Sequence, residues 1–301
     1  MTLWCIVGNS DHTSRYELAS RLTLRGMTPD DVPAVLHLCR AAGWNQTADD
    51  WRCFLELGGG GCRLAEFDSE VIGSVAFLRY GTFSWIAMML VDPARRGLGV
   101  GSQLMESALT ALESEPTIRL DATPLGEPLY RHYDFRPEYE LLRVRGTATA
   151  QVANTLGGMA RPIESADLAR IYRLDREVFG GDRAALLGSF YRREPGFAWL
   201  VSDAAAIRGY CFGRAGHLYN HIGPIVADSA AVAQELVSHC VARQPAKMFA
   251  LDIPSGASEW ISWLNSAGFS TERPFLRMCR GQRPACGVPG MQFGIAGPEF
   301  A

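Results

Sequence analysis

Residues 91–102 read Val91-Asp92-Pro93-Ala94-Arg95-Arg96-Gly97-Leu98-Gly99-Val100-Gly101-Ser102. An apolar run typical of a strand precedes this stretch, and an amphipathic helix with apolar residues at helical spacing follows it. Alternate glycines let the backbone approach a ligand closely, and the start of a helix presents unpaired N–H groups and the positive end of the helix dipole. Arg96 adds a fixed positive charge that can bind two phosphate oxygens at once. The stretch therefore predicts a binding site for a phosphate or pyrophosphate.

The glycine spacing distinguishes this loop from two other phosphate-binding loops. A Walker loop requires Gly-Lys-Ser or Gly-Lys-Thr, and residues 91–102 contain no lysine. A Rossmann loop requires Gly-x-Gly-x-x-Gly, whereas the spacing here is Gly97-x-Gly99-x-Gly101. The alternative is a flexible surface turn that binds nothing, and the order of strand, arginine, glycines and helix disfavours it.

Two motifs resemble those of a known family. Arg96-x-x-Gly99-x-Gly101, after a Val-Asp-Pro strand end, resembles the acyl-CoA pyrophosphate motif of the GNAT superfamily of N-acetyltransferases. The stretch 120–135 resembles the family's later motif, which is a strand, a short helix with a tyrosine, and then usually Gly-Phe. The tyrosine here is Tyr130, and Asp134 stands where the family has glycine. The resemblance covers residues 22–146.

The organisation of the chain follows from its hydrophobic periodicity. Residues 22–146 predict the element order βααβββαβαβ, with a final strand pair around 138–145. This order matches the α/β (α+β) mixed-sheet fold of acyl-CoA N-acyltransferases that the resemblance implies. Residues 1–21 read as an irregular leader, and residues 147–160, rich in Ala, Thr, Gly and Asn, read as a linker.

Residues 161–301 repeat the pattern of the first domain. Residues 161–168 resemble residues 25–32, and Val226-Ala227-Asp228 resembles Leu90-Val91-Asp92. Such self-similarity predicts a duplicated domain. In that register the positions of Arg96, Gly97, Gly99 and Gly101 fall on Val232, Ala233, Glu235 and Val237. Side chains there would block the backbone approach and Glu235 would repel a pyrophosphate, while Leu264 replaces the tyrosine. We therefore predict a degenerate, non-catalytic GNAT-like second domain.

The resemblance implies transfer of an acetyl group from acetyl-CoA to an amine, by direct attack in a ternary complex and without a metal. In the family, the strand before the loop parts from its neighbour, and its backbone holds the pantetheine arm and the thioester oxygen. That strand end is Met89, Leu90 and Val91 here. The residues expected to hold the pyrophosphate are Arg96, Gly97, Leu98, Gly99, Val100, Gly101 and Ser102. Thr123 stands where many relatives carry an asparagine that contacts CoA.

Tyr130 occupies the family's tyrosine position and is the expected general acid for the leaving thiolate. The alternatives are a core tyrosine whose hydroxyl is satisfied by the backbone, and Tyr133 on the same short helix as the acid. An alkylamine has a pKa of about 10, so a base or a water relay must remove a proton before attack. Asp121 could act through water, but a salt bridge with Arg119 on the same face of the strand is the favoured interpretation.

The candidate acceptor contacts are Trp44, Asn45 and Trp51, together with Asp121. The segment 43–51 lies where GNAT enzymes shape the acceptor pocket, and aromatic rings beside amides suit a small molecule. The alternative is that the tryptophans pack the helix pair. His221 could reach a cleft between the domains, and a histidine satisfied within the structure is the favoured alternative.

Composition excludes several classes of protein. The net charge is −3, the pI is about 6.1, and no basic patch predicts nucleic-acid binding. The eight cysteines form no Cys-x-x-Cys pair or zinc spacing, which favours reduced, buried thiols in a cytosolic protein. No apolar run reaches the length of a membrane span.

The expected function is thus N-acetyl transfer to a primary amine of a small molecule. The alternatives are a non-catalytic sensor that binds acyl-CoA, and a transferase that uses another acyl-CoA. The sequence does not distinguish an amino acid, an antibiotic, a polyamine or a protein amine as acceptor, because fold does not fix substrate.

Overall fold

The computed structural model of the chain describes residues 21–147, 152, 157–204, 206–244, 247–282 and 287–301. The predicted leader, apart from residue 21, and most of the predicted linker lie outside these residues. The described chain forms two compact units. The first contains residues 21–77 and 88–113, and the second contains residues 78–87 and the described residues from 114 to 301.

The first unit is a sheet packed with helices. Its strands are β1 (Leu22–Gly26), β2 (Arg63–Phe67), β3 (Glu70–Arg79, up to residue 77) and β4 (Ser84–Val91, from residue 88), in that order across the sheet. Its helices are α1 (Val32–Ala41), α2 (Ala48–Leu57) and α3 (Val100–Ala111). The buried apolar faces of the helices build the core, with Val35, Leu38, Trp51, Phe54, Leu104 and Met105 among the most buried side chains.

The second unit contains the remaining strands and helices. The strands are β5 (Thr117–Ala122), β6 (Arg136–Gly146), β7 (Ala160–Pro162), β8 (Trp199–Ser202), β9 (Ile207–Arg214), β10 (Asn220–Ala227), β11 (Phe249–Pro254), β12 (Phe269–Gly281) and β13 (Gln292–Gly294). The helices are α4 (Glu127–His132), α5 (Leu168–Phe179), α6 (Ala184–Arg193), α7 (Ala230–Ala242) and α8 (Ser258–Ser266). From the beginning of β4, the strand order is β4, β5, β12, β6, β11, β10, β9, β8, β7, and β13 pairs with β10.

The two halves of the sequence have the same order of elements. From β1 to β6 and again from β7 to β12, the order is βααβββαβαβ. The predicted mixed-sheet fold and its duplication are therefore confirmed. The domain boundaries 22–146 and 161–301 stay a prediction. They describe the repeat in the sequence, whereas the compact units are defined by packing, which places residues 78–87, β5 and β6 with the second half.

The last strand of each half lies in the sheet of the other half. β12 pairs antiparallel with both β5 and β6, and β6 pairs antiparallel with both β12 and β11. The predicted strand pair around residues 138–145 is therefore wrong. This region is the single strand Arg136–Gly146, and its antiparallel partners come from the second half of the sequence.

Two buried ion pairs hold β6 and β12, which we call the exchanged strands. Arg277 on β12 forms two hydrogen bonds with the carboxylate of Asp121 on β5, at 2.8 and 2.9 Å. Arg143 on β6 forms the same pair with Asp252 on β11, at 2.8 and 2.7 Å. In each case the two residues are directly opposite one another in the strand register. The duplication thus extends to an equivalent ion pair in each half.

The repeat is also visible at the first helical turn of each half. Arg25 binds Asp31, whose carboxylate also accepts from Thr28 N at 2.8 Å. Arg161 binds Asp167 in the same way, and that carboxylate accepts from the backbone N–H three residues before it at 2.9 Å. These hydrogen bonds lower the pKa of Asp31 and of Asp167.

These carboxylates should make stability sensitive to acid. Because their folded pKa lies below the unfolded value of about 3.9, their contribution is present above about pH 4 and is lost as the pH falls through the folded pKa. We expect Arg25→Gln to reduce stability at pH 7 by about 0.5 kcal/mol, since Arg25 is partly exposed. The same substitution should flatten the loss of stability on acidification. Thermal unfolding between pH 7 and pH 3 measures this, and parallel curves for the variant and the unaltered chain would contradict it.

The described cysteines are buried and form no disulfide with one another, whereas Cys5 and Cys286 lie outside the described residues. Among the helices of the described residues, none has the length and apolar character needed to cross a membrane.

Candidate active site

The loop between β4 and α3 is fixed at its first residues by hydrogen bonds. Asp92 N donates to Ile72 O on β3 at 2.8 Å, and the Asp92 carboxylate accepts from Ala94 N at 2.8 Å. Arg96 Nε donates to Val91 O at 3.3 Å, and the side chain of Arg96 is exposed. The loop therefore starts from a rigid strand end and presents a cation to solvent.

Left-handed backbone forms the second part of the loop. Gly97 and Gly99 have φ of +78° and +87°, which L side chains rarely adopt. A Cβ atom on either residue would meet no heavy atom within 4 Å. The left-handed backbone therefore favours glycine here, whereas the surrounding atoms would leave room for a side chain. Side chains at these positions would occupy the open space beside the start of α3.

The start of α3 offers amides to an anion. Gly99 is the N-cap residue, α3 begins at Val100, and the first helical hydrogen bond runs from Gln103 N to Gly99 O at 3.2 Å. The amides of Val100 and Gly101 precede that bond, and amides in this position point out of a helix start. Together with Arg96 they form the predicted pyrophosphate site.

Close packing of α3 on the sheet holds this helix start in place. A Cβ atom on Gly73 of β3 would lie 2.9 Å from Leu104 Cδ1, 3.0 Å from Leu90 O and 3.2 Å from Val100 Cγ1. Gly73 thus allows α3 to approach β3 and β4. Sequence reasoning missed this residue, although a glycine within an apolar strand is a recognised signal of close approach.

The end of β4 has an irregular backbone. Met88 has a left-handed φ of +53° within the strand, and Ser74 Oγ donates to Met88 O at 2.9 Å. The next residues alternate, since Leu90 is buried while Met89 and Val91 are only half-buried. The parallel ladder between β4 and β5 contains the pairs Ser84–Ile118 and Trp85–Arg119, so it ends before this segment. A methionine gives no sequence signal for the left-handed conformation.

Tyr130 lies on α4 in the second unit, at a helix end with a defined capping pattern. Phe135 N donates to Tyr130 O at 3.2 Å, and Asp134 N donates to Arg131 O at 3.2 Å. The ring of Phe135 lies against that of Tyr130 with centroids 6.2 Å apart. These are the two bonds and the apolar contact of a Schellman motif, which requires a left-handed residue at the position of Asp134. Asp134 has φ of +63°, so the turn typical of glycine is kept without glycine.

Asp134→Gly should stabilise the protein. Glycine removes the strain of left-handed backbone, about 1–2 kcal/mol for an L residue, and part of that gain is offset by the greater entropy of glycine in the unfolded chain. We expect a net gain of about 0.5–1 kcal/mol. Thermal or urea unfolding measures it, and a loss of stability would show that the Asp134 side chain makes a stabilising contact.

The environment of Tyr130 suits a proton donor. The residue is 8 % exposed, and burial raises the pKa of its phenol to about 12. The group is therefore protonated at neutral pH. Within the described part of the chain its hydroxyl has no hydrogen-bond partner, so the alternative of a core tyrosine satisfied by backbone does not describe it. Thr123 Oγ1 accepts from Gly126 N at 3.2 Å in the turn before α4, which leaves its own proton to donate.

Asp121 is not the partner of Arg119. Its side chain is fully buried and bound to Arg277, while Arg119 binds Glu138 with an N–O distance of 2.7 Å. The prediction that Asp121 forms a salt bridge is therefore correct, but the predicted partner, Arg119, is wrong. A carboxylate bound by both oxygens to a buried guanidinium is a poor base, because it would leave that charge uncompensated on protonation.

The candidate acceptor residues differ in exposure. Trp51 is fully buried, and its ring lies 6.3 Å from that of Phe54 on the same helix. The packing alternative therefore describes Trp51, which is not placed to touch an acceptor. Trp44 and Asn45 are half-buried, and Arg40 holds their loop by donating to Trp44 O and to Gln46 O, at 3.2 and 2.9 Å.

Among the described residues of the second half, no loop between β10 and α7 corresponds to the glycine loop of the first half. β10 ends at Ala227 and α7 begins at Ala230, so the predicted loop positions 232–237 lie inside a helix. Glu235 is buried there and accepts from Met159 N and Ala160 N, at 2.6 and 2.8 Å. The prediction that Glu235 repels a pyrophosphate is thus corrected, because the loop is missing and Glu235 caps backbone amides instead. Leu264, at the tyrosine position, is buried on α8.

His221 is satisfied within the structure. Its Nε2 lies 3.0 Å from Asp252 Oδ2, and Arg214 Nη1 lies 3.3 Å from its Nδ1. Burial, together with the positive charge of Arg214, lowers the pKa of His221. A neutral ring that donates to Asp252 and accepts from Arg214 fits these contacts. In the described residues, no group of three or more His, Cys, Asp or Glu side chains is placed to hold a metal ion.

A mixed sheet with a glycine loop at a helix start is typical of α/β proteins that bind phosphorylated ligands. Comparison with known proteins narrows this class. An acetyltransferase (GNAT) domain model matches residues 58–137, and a second model of the same description matches residues 171–293. The chain belongs to the GNAT family of acetyltransferases and carries two such domains in tandem. It is by that membership an enzyme of the acyltransferase class.

Individual relatives agree with this assignment. The chain is 25% identical over 246 residues to the holothin acyltransferase of Pseudoalteromonas, covering 81% of this chain and 83% of the relative. It is 24% identical over 249 residues to an uncharacterized N-acetyltransferase of Bacillus subtilis, covering 82% and 88%. Among solved structures, a putative acetyltransferase from Pyrococcus horikoshii aligns with a TM-score of 0.75 at 24% identity, over 93% of this chain and 96% of that one. A tandem GNAT protein from the clavulanic acid biosynthesis pathway aligns with a TM-score of 0.62 at 13% identity, over 88% and 99%.

Proposed function

We propose that the first half of the chain transfers an acetyl group from acetyl-CoA to the amine of a small molecule, by direct attack in a ternary complex. The observation that carries this proposal is the start of α3. There, left-handed glycines leave open space, helix amides precede the first helical bond, and Arg96 is exposed. This arrangement suits the pyrophosphate of acetyl-CoA.

Each step of the reaction would be carried out by different residues of the chain. The amides of Val100 and Gly101 and the guanidinium of Arg96 bind the pyrophosphate. The backbone of Met89, Leu90 and Val91 binds the pantetheine arm and polarises the thioester oxygen, which gains negative charge on attack. Water removes one proton from the ammonium before attack, since Asp121 is engaged by Arg277. The neutral amine then forms the C–N bond at the thioester carbonyl carbon, and its nitrogen releases a second proton to water. As the C–S bond breaks, Tyr130 gives its proton to the leaving sulfur and regains one from solvent.

The name of one relative bears on the acceptor. The Pseudoalteromonas protein is named holothin acyltransferase, and we take that named acceptor as a guide to the kind of acceptor used here. The half-buried Trp44 and Asn45 remain the proposed acceptor contacts.

The alternative function is an acyl-CoA sensor without turnover. The ion pair between Asp121 and Arg277 favours it, because the described site offers no carboxylate base there. Thiol release from acetyl-CoA, propionyl-CoA and succinyl-CoA across a panel of amines distinguishes these functions, since a sensor releases no thiol.

Acetyl-CoA binding tests the loop directly. We expect calorimetry to find one site per chain, and Gly99→Glu to weaken binding by roughly 100-fold. The new side chain would occupy the open space beside the start of α3, and its carboxylate would repel the pyrophosphate. Each 1.4 kcal/mol of lost binding free energy is about tenfold in affinity, so roughly 100-fold corresponds to about 2.8 kcal/mol.

Gly81→Glu is the matched control for this prediction. Gly81 has φ of +82° with open space around its Cβ position, so strain and added charge are the same outside the loop. We expect the affinity of Gly81→Glu to match that of the unaltered chain. Two sites per chain, or equal affinity for the two variants, would contradict the proposal.

A further inference from the structure

The parallel ladder at the centre of each half ends at the same point. β4 and β5 share the pairs Ser84–Ile118 and Trp85–Arg119, and β10 and β11 share the pairs Asn220–Phe249 and His221–Ala250. Two residues beyond the last pair, β5 carries Asp121 and β11 carries Asp252, which make the equivalent ion pairs described above. In the repeat, β10 and β11 beyond their last pair are therefore the counterparts of β4 and β5 beyond theirs.

In the second half, the chain itself fills the space between β10 and β11 beyond their ladder. β13 pairs antiparallel with β10, at Ile225–Gly294 and Val226–Gln292. On the other side, Ile295 N donates to Asp252 O on β11 at 2.9 Å. The segment from residue 292 to 295 thus forms backbone hydrogen bonds with both β10 and β11.

The fit of this segment between β10 and β11 is tight. A Cβ atom on Gly223 of β10 would lie 1.9 Å from Ile295 O, so only glycine admits the segment at that point. Trp260 Nε1 on α8 donates to Phe293 O at 3.0 Å, and Arg214 Nη1 donates to Ala296 O at 2.7 Å. Ile295 and Ala296 are almost completely buried.

The end of the segment is held as firmly. Tyr80 OH donates to Phe300 O at 2.8 Å, and Trp85 Nε1 donates to Pro298 O at 3.0 Å. Arg214 also pairs with Glu299. Phe300 is fully buried.

We propose that residues 292–301 are a built-in ligand of the second half, which permanently occupies the edge of β10 that is the counterpart of the cofactor-binding end of β4. This inference rests on the proposed function, because the acetyl-CoA arm along β4 defines what the segment replaces. An extended chain offers amides and carbonyls along a strand edge, as a pantetheine arm does. A tethered segment also has a high effective concentration. Because α7 begins only two residues, 228 and 229, after β10, no phosphate loop competes for a cofactor there.

Hydrogen–deuterium exchange on the full chain, with and without acetyl-CoA, tests this proposal. Without acetyl-CoA, we expect the amides of residues 222–227 and 292–296 to exchange as slowly as those of the core. Acetyl-CoA should slow exchange at residues 88–102 and leave residues 222–227 and 292–296 unchanged. Slowing of residues 222–227 by acetyl-CoA, or exchange of residues 292–296 at the rate of an exposed segment, would overturn the proposal.

The same experiment separates this proposal from the proposed function. No effect of acetyl-CoA at residues 88–102, with residues 222–227 and 292–296 still slow, contradicts the proposed function and supports the segment as occupant of the β10 edge. A substitution gives the second test. Gly223→Ala places a methyl group against Ile295 O and should speed exchange of residues 292–296 by at least about tenfold, as expected for a loss of local stability of about 1.4 kcal/mol.

Gly256→Ala is the matched control, because a Cβ atom there meets nothing within 4 Å. We expect its exchange at residues 292–296 to equal that of the unaltered chain. Equal exchange in the Gly223→Ala chain would overturn the proposal. If Gly223→Ala does not fold, the exchange pattern of the unaltered chain decides.

Discussion

Tyr130→Phe should lower the turnover of acetyl-CoA by about 10²- to 10⁴-fold, which is the usual contribution of a positioned general acid. The ring and its contact with Phe135 stay, so the helix end and the affinity for acetyl-CoA should not change. Thiol release at saturating amine measures turnover, and calorimetry measures affinity. An equal loss in kcat and in kcat/KM is expected, because the proton is transferred only in the transition state.

Tyr133→Phe is the matched control for this prediction. Tyr133 is the C-cap residue of the same helix and is half-buried, and the substitution likewise removes one hydroxyl. We expect turnover within a few-fold of the unaltered chain. A large loss in Tyr133→Phe with no loss in Tyr130→Phe would assign the acid to Tyr133, and no loss in either would remove both from the mechanism.

Arg277→Met should destabilise the protein by about 3–5 kcal/mol, because it leaves the carboxylate of Asp121 buried without its partner. Arg277 also donates to Tyr139 OH at 2.6 Å and lies over the ring of Trp85, so packing is lost with the charge. Urea unfolding measures the change.

Two further variants identify the cause of that loss. Replacing both partners, Asp121→Leu with Arg277→Met, should recover most of the lost stability, since no charge then stays buried. Arg131→Met removes an exposed partner of Glu127 and should cost about 0.5 kcal/mol or less. A double variant that is less stable than Arg277→Met alone would show that the strand exchange requires the ion pair.

Local features of the site were predictable from the sequence. Glycines at alternate positions after an apolar strand give the loop, and helical spacing gives α3, because both signals lie within one short window. The short helix of Tyr130 was also found, and Asp134 shows why one substitution did not destroy the motif. Aspartate is among the residues that tolerate left-handed backbone.

Pairing over long distances was not predictable. Asp121 and Arg277 are 156 residues apart, and nothing near Asp121 distinguishes Arg277 from the neighbouring Arg119. The burial of Trp51 has the same origin, since an aromatic residue on a helix is equally typical of a pocket and of a core. The left-handed backbone of Met88 depends on the strands around it, and methionine has no preference for it.

The repeat failed as a guide where its spacing changes. Eight residues, 92–99, connect β4 to α3, whereas two residues, 228 and 229, connect β10 to α7. The alignment of the two halves with a constant offset is valid only up to the end of β10. Beyond that point it places the loop glycines of the first half opposite residues in the interior of α7.

The exchanged strands bear on how the chain is made on the ribosome. Domains generally fold in order as they emerge, the N-terminal one first. β5 ends at residue 122 and its neighbour β12 begins at residue 269, so 147 further residues (269 minus 122) must be synthesised before the first sheet can close. Until then the nascent chain carries unpaired strand edges, which are templates for aggregation. We expect truncated translation products of the first half to be insoluble for that reason, because β5 can pair with β12 only after β12 has been synthesised.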